Sequence, residues 1–161
     1  MSVTRVDKDL DNLTLTLIAD FTAPVDRVWQ LWADPRQLER WWGPPTYPAT
    51  VEQYDLTPGG EVTYFMTGPE GDKHHGWWRV ASVNPPTSLE FLDGFAHEDG
   101  KPNDEMPTTT MRVRLTEHDG GTRMELRSVF DSREQMERMA EMGMVEGLRQ
   151  AVGQMDAQLD A

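Results

Sequence analysis

The sequence predicts an α+β fold: one curved antiparallel sheet, two small helices after its first strand, and a long helix at its C-terminal end. Three observations carry that expectation. A run with period two is followed at once by apolar residues at helical spacing. A series of segments rich in Thr, Val, Tyr, Phe and Trp then follows, with turn signals between them. The chain closes on a capped amphipathic stretch.

In "LTLTLIADF", Leu13, Leu15, Leu17, Ala19 and Phe21 alternate with mostly polar partners, as in a strand buried on one face. Pro24 and Asp26 suit a first helical turn. Val25, Val28, Trp29 and Trp32 then recur at i, i+3, i+4 and i+7, the apolar face of a short helix. In "ADPRQLERWWG", Asp34 can cap a second small helix, Pro35 fits its first position, and Gln37 completes a capping-box spacing. Leu38, Trp41 and Trp42 would share a face of it. Gly43 supplies a helix-stop conformation, and Pro44 and Pro45 end the segment.

Segments 49–56, 60–67, 74–83, 88–95, 108–117 and 122–130 read as strands, which with 13–21 makes a sheet of seven. The turns between them are "TPGGE", "GPEGDK", "NPPT", the longer "AHEDGKPNDEMP", and "EHDGGT". Consecutive strands joined by short turns pair antiparallel. Ser132, with Gln135 three residues on, caps the closing helix. Its apolar stripe shifts from Met136, Met139, Ala140 and Met144 to Val145, Leu148, Val152, Met155 and Leu159. The shift falls around Gly143 and Gly147, each costing ~1 kcal/mol of helix propensity, so a break or kink is expected there. A helix of roughly 16 residues, ~24 Å long, would follow.

Composition removes several function classes. The chain has 161 residues, which fits one domain over 1–161 with a sizeable core. Its 28 acidic against 15 basic residues, a net charge of -13, argue against binding nucleic acid or an anionic membrane surface. Cys is absent, so disulfides, thiolate nucleophiles and Cys-ligated metals are excluded. The N-terminal "MSVTRVDKDLDNLTL" has no apolar signal region, and no run approaches the ~20 residues of a membrane span. A cytoplasmic location is the expectation.

The element order and its phrases resemble the START-like (SRPBCC) superfamily of helix-grip proteins. More closely they are similar to the family named for the C-terminal domain of the activator of the heat-shock-protein-90 ATPase. The matching stretches are "FTAPVDRVWQLWADPRQLERWWGPP", "YDLTPGGEVTYFMTGPEGD", "WWRVASVNPPTSLEF", "GTRMELRSVF" and "MGMVEGLRQAV", from about residue 13 to 159. The resemblance implies a curved sheet gripping a long helix, with a tunnel or pocket between them. Superfamily members bind lipids, hormones, polyketides and other apolar molecules, and some are cyclases or hydrolases. Two positions depart from the family's pattern. Leu148 follows Gly147 where an aromatic residue is common, and Ser128 stands near the end of the last strand where a histidine is common. Both would reshape the pocket.

Catalytic and metal motifs are sparse. His74 and His75 are neighbours in a strand beside a polar turn, so they point to opposite faces and read as a solvated hairpin. His97 and His118 lack a second ligand at a convincing spacing, and no metal is expected. There is no G-x-S-x-G elbow and no phosphate-binding glycine loop, so no cofactor is expected either. The glycines of "TPGGE" serve the positive-φ geometry of a hairpin turn. Asp93 alternates with Leu89, Phe91 and Phe95 on the face assigned to the cavity, where burial would raise its pKa. It could orient a ligand or act as a general base, and the ordinary alternative is a carboxylate exposed at the mouth or paired with an Arg.

Tyr64, Met66, Trp78, Phe91, Met111 and Met124 fall on one sheet face, and Trp32, Trp42 and Leu148 approach it from the helices. Ser82 and Ser128 would join Tyr64 and Asp93 as the few polar groups of an apolar pocket. Of the adjacent tryptophans, Trp42 is assigned to the pocket and Trp41 to anchoring the helix. For any one of these residues core packing is the simpler role; as a set they favour a pocket, because the fold leaves a concavity there. The expected function is binding of a small apolar or aromatic molecule without catalysis. A cyclase- or hydrolase-like enzyme in the same cavity ranks second, and a chaperone-interacting module third. A homodimer stays open.

Overall fold

The first strand of the sheet lies in a stretch without apolar alternation. In the computed structural model of the chain, which describes residues 3–159, β1 spans Val3–Asp9, "VTRVDKD", and pairs antiparallel with β2, Thr14–Phe21. Among the described residues the sheet therefore has eight strands where the sequence pattern predicts seven. An edge strand needs only one partner and one buried side chain, here Val3. Its remaining charged positions keep the edge from pairing with other chains. Asp9 accepts hydrogen bonds from the backbone N–H groups of Asp11 and Asn12 and so shapes the turn into β2.

Helices α1 (Val25–Ala33) and α2 (Pro35–Leu38) follow β2. Asp34 caps α2 as its spacing predicts. Its side chain accepts from the backbone N–H of Arg36 at 2.9 Å and from the Gln37 amide at 3.0 Å. The helix is shorter than expected: it ends at Leu38, and turns closed on the Leu38 carbonyl carry the chain to Trp41 and Trp42. Gly43 is required for a different reason from the one its position suggests. Its φ is not positive, but a Cβ there would collide with the Tyr47 carbonyl oxygen.

Strands β3 (Ala49–Tyr54), β4 (Glu61–Thr67), β5 (Lys73–Asn84), β6 (Ser88–Phe95), β7 (Thr109–His118) and β8 (Gly121–Val129) lie within about two residues of the expected segments. The sheet order is β1-β2-β8-β7-β6-β5-β4-β3, so the pairing of β2 with β8, next to the β1 edge, joins the first strands to the last. Everything is antiparallel, and one face is apolar along its length: Leu17, Val62, Trp78, Phe91, Met111, Val113, Leu115, Met124 and Leu126 are all buried.

The C-terminal helix is in three pieces rather than the single helix expected after a break. Ser132 caps α3 (Arg133–Glu141) by accepting from the Gln135 N–H at 3.1 Å. The break falls at Gly143, whose φ of +86° is left-handed. Helix α4 (Met144–Gly153) then runs through Gly147, and α5 (Met155–Leu159) follows a second interruption at Gln154. Helices α4 and α5 insert Ala151, Val152 and Met155 into the core. The Gln154 amide donates to the Gly43 carbonyl at 2.6 Å and the Trp41 carbonyl at 3.3 Å, while Arg27 donates to the Gln158 carbonyl at 2.8 Å. These bonds fasten the helix end to the loop after α2 and to α1. No helix among the described residues is long and apolar enough to cross a membrane.

Two glycines in the same region should respond oppositely to alanine. A Cβ at either meets nothing within 4 Å, so only backbone conformation matters. Gly143→Ala should cost about 1 kcal/mol because φ is left-handed, whereas Gly147→Ala should gain about 0.5–1 kcal/mol inside α4. Urea unfolding of the two variants beside the parent measures both signs.

Candidate functional site

One end of the space between sheet and helices is filled by indoles. Trp32 packs edge-on against Trp41 with centroids 4.7 Å apart, and Trp78 stacks on Phe91 at 3.9 Å. Trp41 is fully buried and its indole N–H donates to the Leu31 carbonyl at 2.8 Å, so it anchors α1 to the loop after α2. Trp42 meets Trp78 edge-on at 5.0 Å and Tyr64 at 6.1 Å. Its other side borders a half-enclosed pocket of about 450 Å³.

That pocket lies between the upper part of the sheet and the α3–α4 corner. Of the residues named from the sequence, Trp42, Tyr64, Met66, Asp93, Met111 and Leu148 line it. Trp32, Trp78, Phe91 and Met124 face the interior as expected but lie wholly in the packed aromatic and aliphatic core. Ser128 is also fully buried, with its hydroxyl 3.2 Å from the Met111 sulfur, which separates it from the pocket. Ser82 is on the wrong face. A bulge between Val80 and Ser82 inserts one residue into the register with β6, so Ser82 opposes Glu90 and is exposed on the outer surface.

The polar part of the pocket is a pair. The Tyr64 hydroxyl donates to Asp93 Oδ1 at 2.9 Å. Burial pushes the Asp93 carboxyl up to about 7, against the downward pull of that hydrogen bond. Burial, and then the Asp93 charge, holds the Tyr64 phenol well above its ordinary value. The indole N–H groups of Trp42 and Trp78 have no partner of hydrogen-bond geometry among the described residues. They lie close enough to the pair to stabilise its charged forms.

Tyr64 can sit there because its cross-strand partner is Gly76. A Cβ at position 76 would overlap the phenol ring and hydroxyl. A glycine inside a β-rich segment, "HHGWWRV", is the signal that could have located this close approach. Thr109 was also missed. It opposes Asp93 on β7, is only 2% exposed, and its hydroxyl has no partner among the described residues. His74 and His75, read as a solvated hairpin, contribute to the pocket rim, where His74 contacts Asp72 at 2.5 Å and Tyr47 edge-on. Met139, Met142 and Met144 at the helix break complete the mouth, and Met142 is 50% exposed.

An antiparallel sheet closed by C-terminal helices, with an apolar pocket between them, defines a helix-grip domain. The chain belongs to the activator of Hsp90 ATPase homolog 1-like family, whose model matches residues 22–160. It is similar to the solved structure of protein Ms6760 from Mycobacterium smegmatis, at 54% identity and a TM-score of 0.90, covering 98% of this chain and 96% of that one. A protein from Arthrobacter aurescens is 52% identical with a TM-score of 0.95, covering 99% and 92%. A Staphylococcus epidermidis protein at 22% identity, TM-score 0.84, covers 98% and 94% and shares the fold. None of the curated proteins matches the chain.

The half-buried carboxyl makes a pH-dependent prediction. Because Asp93 titrates near 7 when folded, well above its ordinary 3.8, the folded state holds its proton more tightly than the unfolded chain. Its contribution therefore favours folding at low pH and is lost as pH rises through about 7. Asp93→Asn should stabilise the protein at pH 8, and the gain should roughly halve by pH 5.5. Thermal unfolding of both proteins across that range measures it. Gly76→Ala should displace the Tyr64 ring and cost about 1–3 kcal/mol, read by denaturant unfolding and by the Tyr64 side-chain NMR shifts.

Proposed function

We propose that the protein binds a small, mostly apolar or aromatic molecule in this pocket, without transforming it. The observation that supports the reading is the pocket itself: about 450 Å³ of space walled by Trp42, Met66, Met111 and Leu148, with one polar pair of a buried tyrosine and a half-buried aspartate. That volume falls in the ~300–1,000 Å³ range of small-molecule sites. Methionines supply much of the wall, and their flexible thioethers accept varied apolar shapes. Burial of the ligand's apolar area would drive binding at ~25 cal/mol per Å², while the Asp93–Tyr64 pair orients its polar end.

A second reading has one observation in its favour. A carboxyl that titrates at about 7 beside a phenol suits general acid–base work, as a cyclase or hydrolase would need. Against it, the other groups of the lining that could take part, the Thr109 hydroxyl and the His74 and His75 imidazoles, make no hydrogen bond to the pair among the described residues.

Native mass spectrometry of protein purified from its own host should find a retained small molecule. Leu148→Trp should fill the pocket, keep the fold and lower that ligand's affinity at least tenfold. A bound molecule recovered chemically altered after incubation would favour the enzyme, and a fully occupied Leu148→Trp variant would defeat the pocket reading.

A further inference from the structure

We infer that the ligand's polar end is a protonated amine, so that the pocket takes lipophilic amines in preference to alcohols or acids of the same shape. This rests on the binding reading above and names the chemical class it takes. The charges around the pocket point one way. Asp93 is the one carboxylate among the described lining residues, and neither Lys nor Arg is among them. The titratable groups that share the pocket with Asp93 are Tyr64 from β4, His74 and His75 at the rim on β5, with Asp72 against His74, and Tyr47 from the loop after α2; α4 presents Gly147, Leu148 and Ala151, and β7 presents Thr109. A carboxylic acid ligand would meet the Asp93 charge with no cation to offset it.

Hydrogen-bond geometry selects an amine within the remaining classes. Tyr64 hydrogen-bonds Oδ1 of Asp93, and the Trp78 indole N–H beside the carboxylate falls short of hydrogen-bond geometry, so the carboxylate keeps acceptor capacity for a ligand. Directly across the ladder, the buried Thr109 hydroxyl also lacks a partner. An ammonium group brings several N–H donors, enough for both oxygen atoms, and cancels the charge that burial disfavours. The rings of Trp42, Tyr47, Tyr64 and Phe95 border the same space and offer cation–π contact. The net charge of -13 raises the local concentration of cations around the molecule.

The test titrates three probes of one shape by calorimetry: naphthylethylamine, naphthylethanol and naphthylacetate. At pH 8 the amine should bind about tenfold or more tightly than the alcohol, with the acetate weakest. Amine affinity should fall about tenfold from pH 8 to pH 6 as Asp93 takes up its proton, with proton release on binding in that range, while the alcohol stays level. In Asp93→Asn the amine should lose its advantage over the alcohol, and a near-ultraviolet circular dichroism spectrum like the parent's shows that the aromatic wall is intact. An alcohol that matches the amine in the parent protein overturns the amine inference and leaves the apolar pocket standing. An amine preference that survives Asp93→Asn also overturns it. Failure of all three probes overturns both readings.

Discussion

The rest of the structure answers one constraint: an eight-stranded sheet presents a larger apolar face than the C-terminal helix can cover. Fully exposed, that face would hold the side chains of Leu17, Trp78, Phe91, Met111 and Leu126 in water, at a cost of about 1.5–3 kcal/mol for each. The chain covers one half with indoles. Trp32 from α1 and Trp42 from the loop after α2 fill the space over Trp78 and Phe91, where a smaller residue would leave a void. The other half lies under α3 and α4, and there the covering is incomplete.

The incompleteness has a local cause. Gly143 turns the chain through a left-handed conformation, so α3 and α4 do not form one straight rod over the sheet. The Gln154 and Arg27 hydrogen bonds hold α4 and α5 against the loop after α2 and against α1, on the side of the tryptophan cluster. What remains between the helix break and the upper strands is the pocket, and Trp42 is the partition between packed core and open space.

The polar pair stands on that partition for reasons of backbone as much as of chemistry. Gly76 makes room for the Tyr64 ring, and the β5–β6 register puts Asp93 across from Trp78. A carboxyl placed there is desolvated on the side of the aromatic core and can be reached from the pocket. This combination raises its pKa without requiring a salt bridge.

How much of this was readable from the chain can be judged residue by residue. Alternation with short turns determined the six strands from Ala49 to Val129 and the face each presents, because a half-buried strand must repeat with period two. Asp34, Ser132 and Gly143 marked helix starts and the break, because caps and left-handed positions select a few residue types. Strand β1 was not readable, since an edge strand needs little apolar pattern. The site was half legible. Alternation assigned Tyr64, Asp93, Met111, Trp78, Phe91 and Met124 to the inner face, but a side chain's position along that face decides whether it lies under the indoles or beside the helix break. Only the tertiary structure set that depth, and only it showed the bulge that turns Ser82 outward and the register that puts Thr109 across from Asp93. Local sequence determines direction, because direction follows from the backbone dihedrals of one strand. Depth and neighbours depend on packing between segments far apart in the chain, and no single segment encodes them.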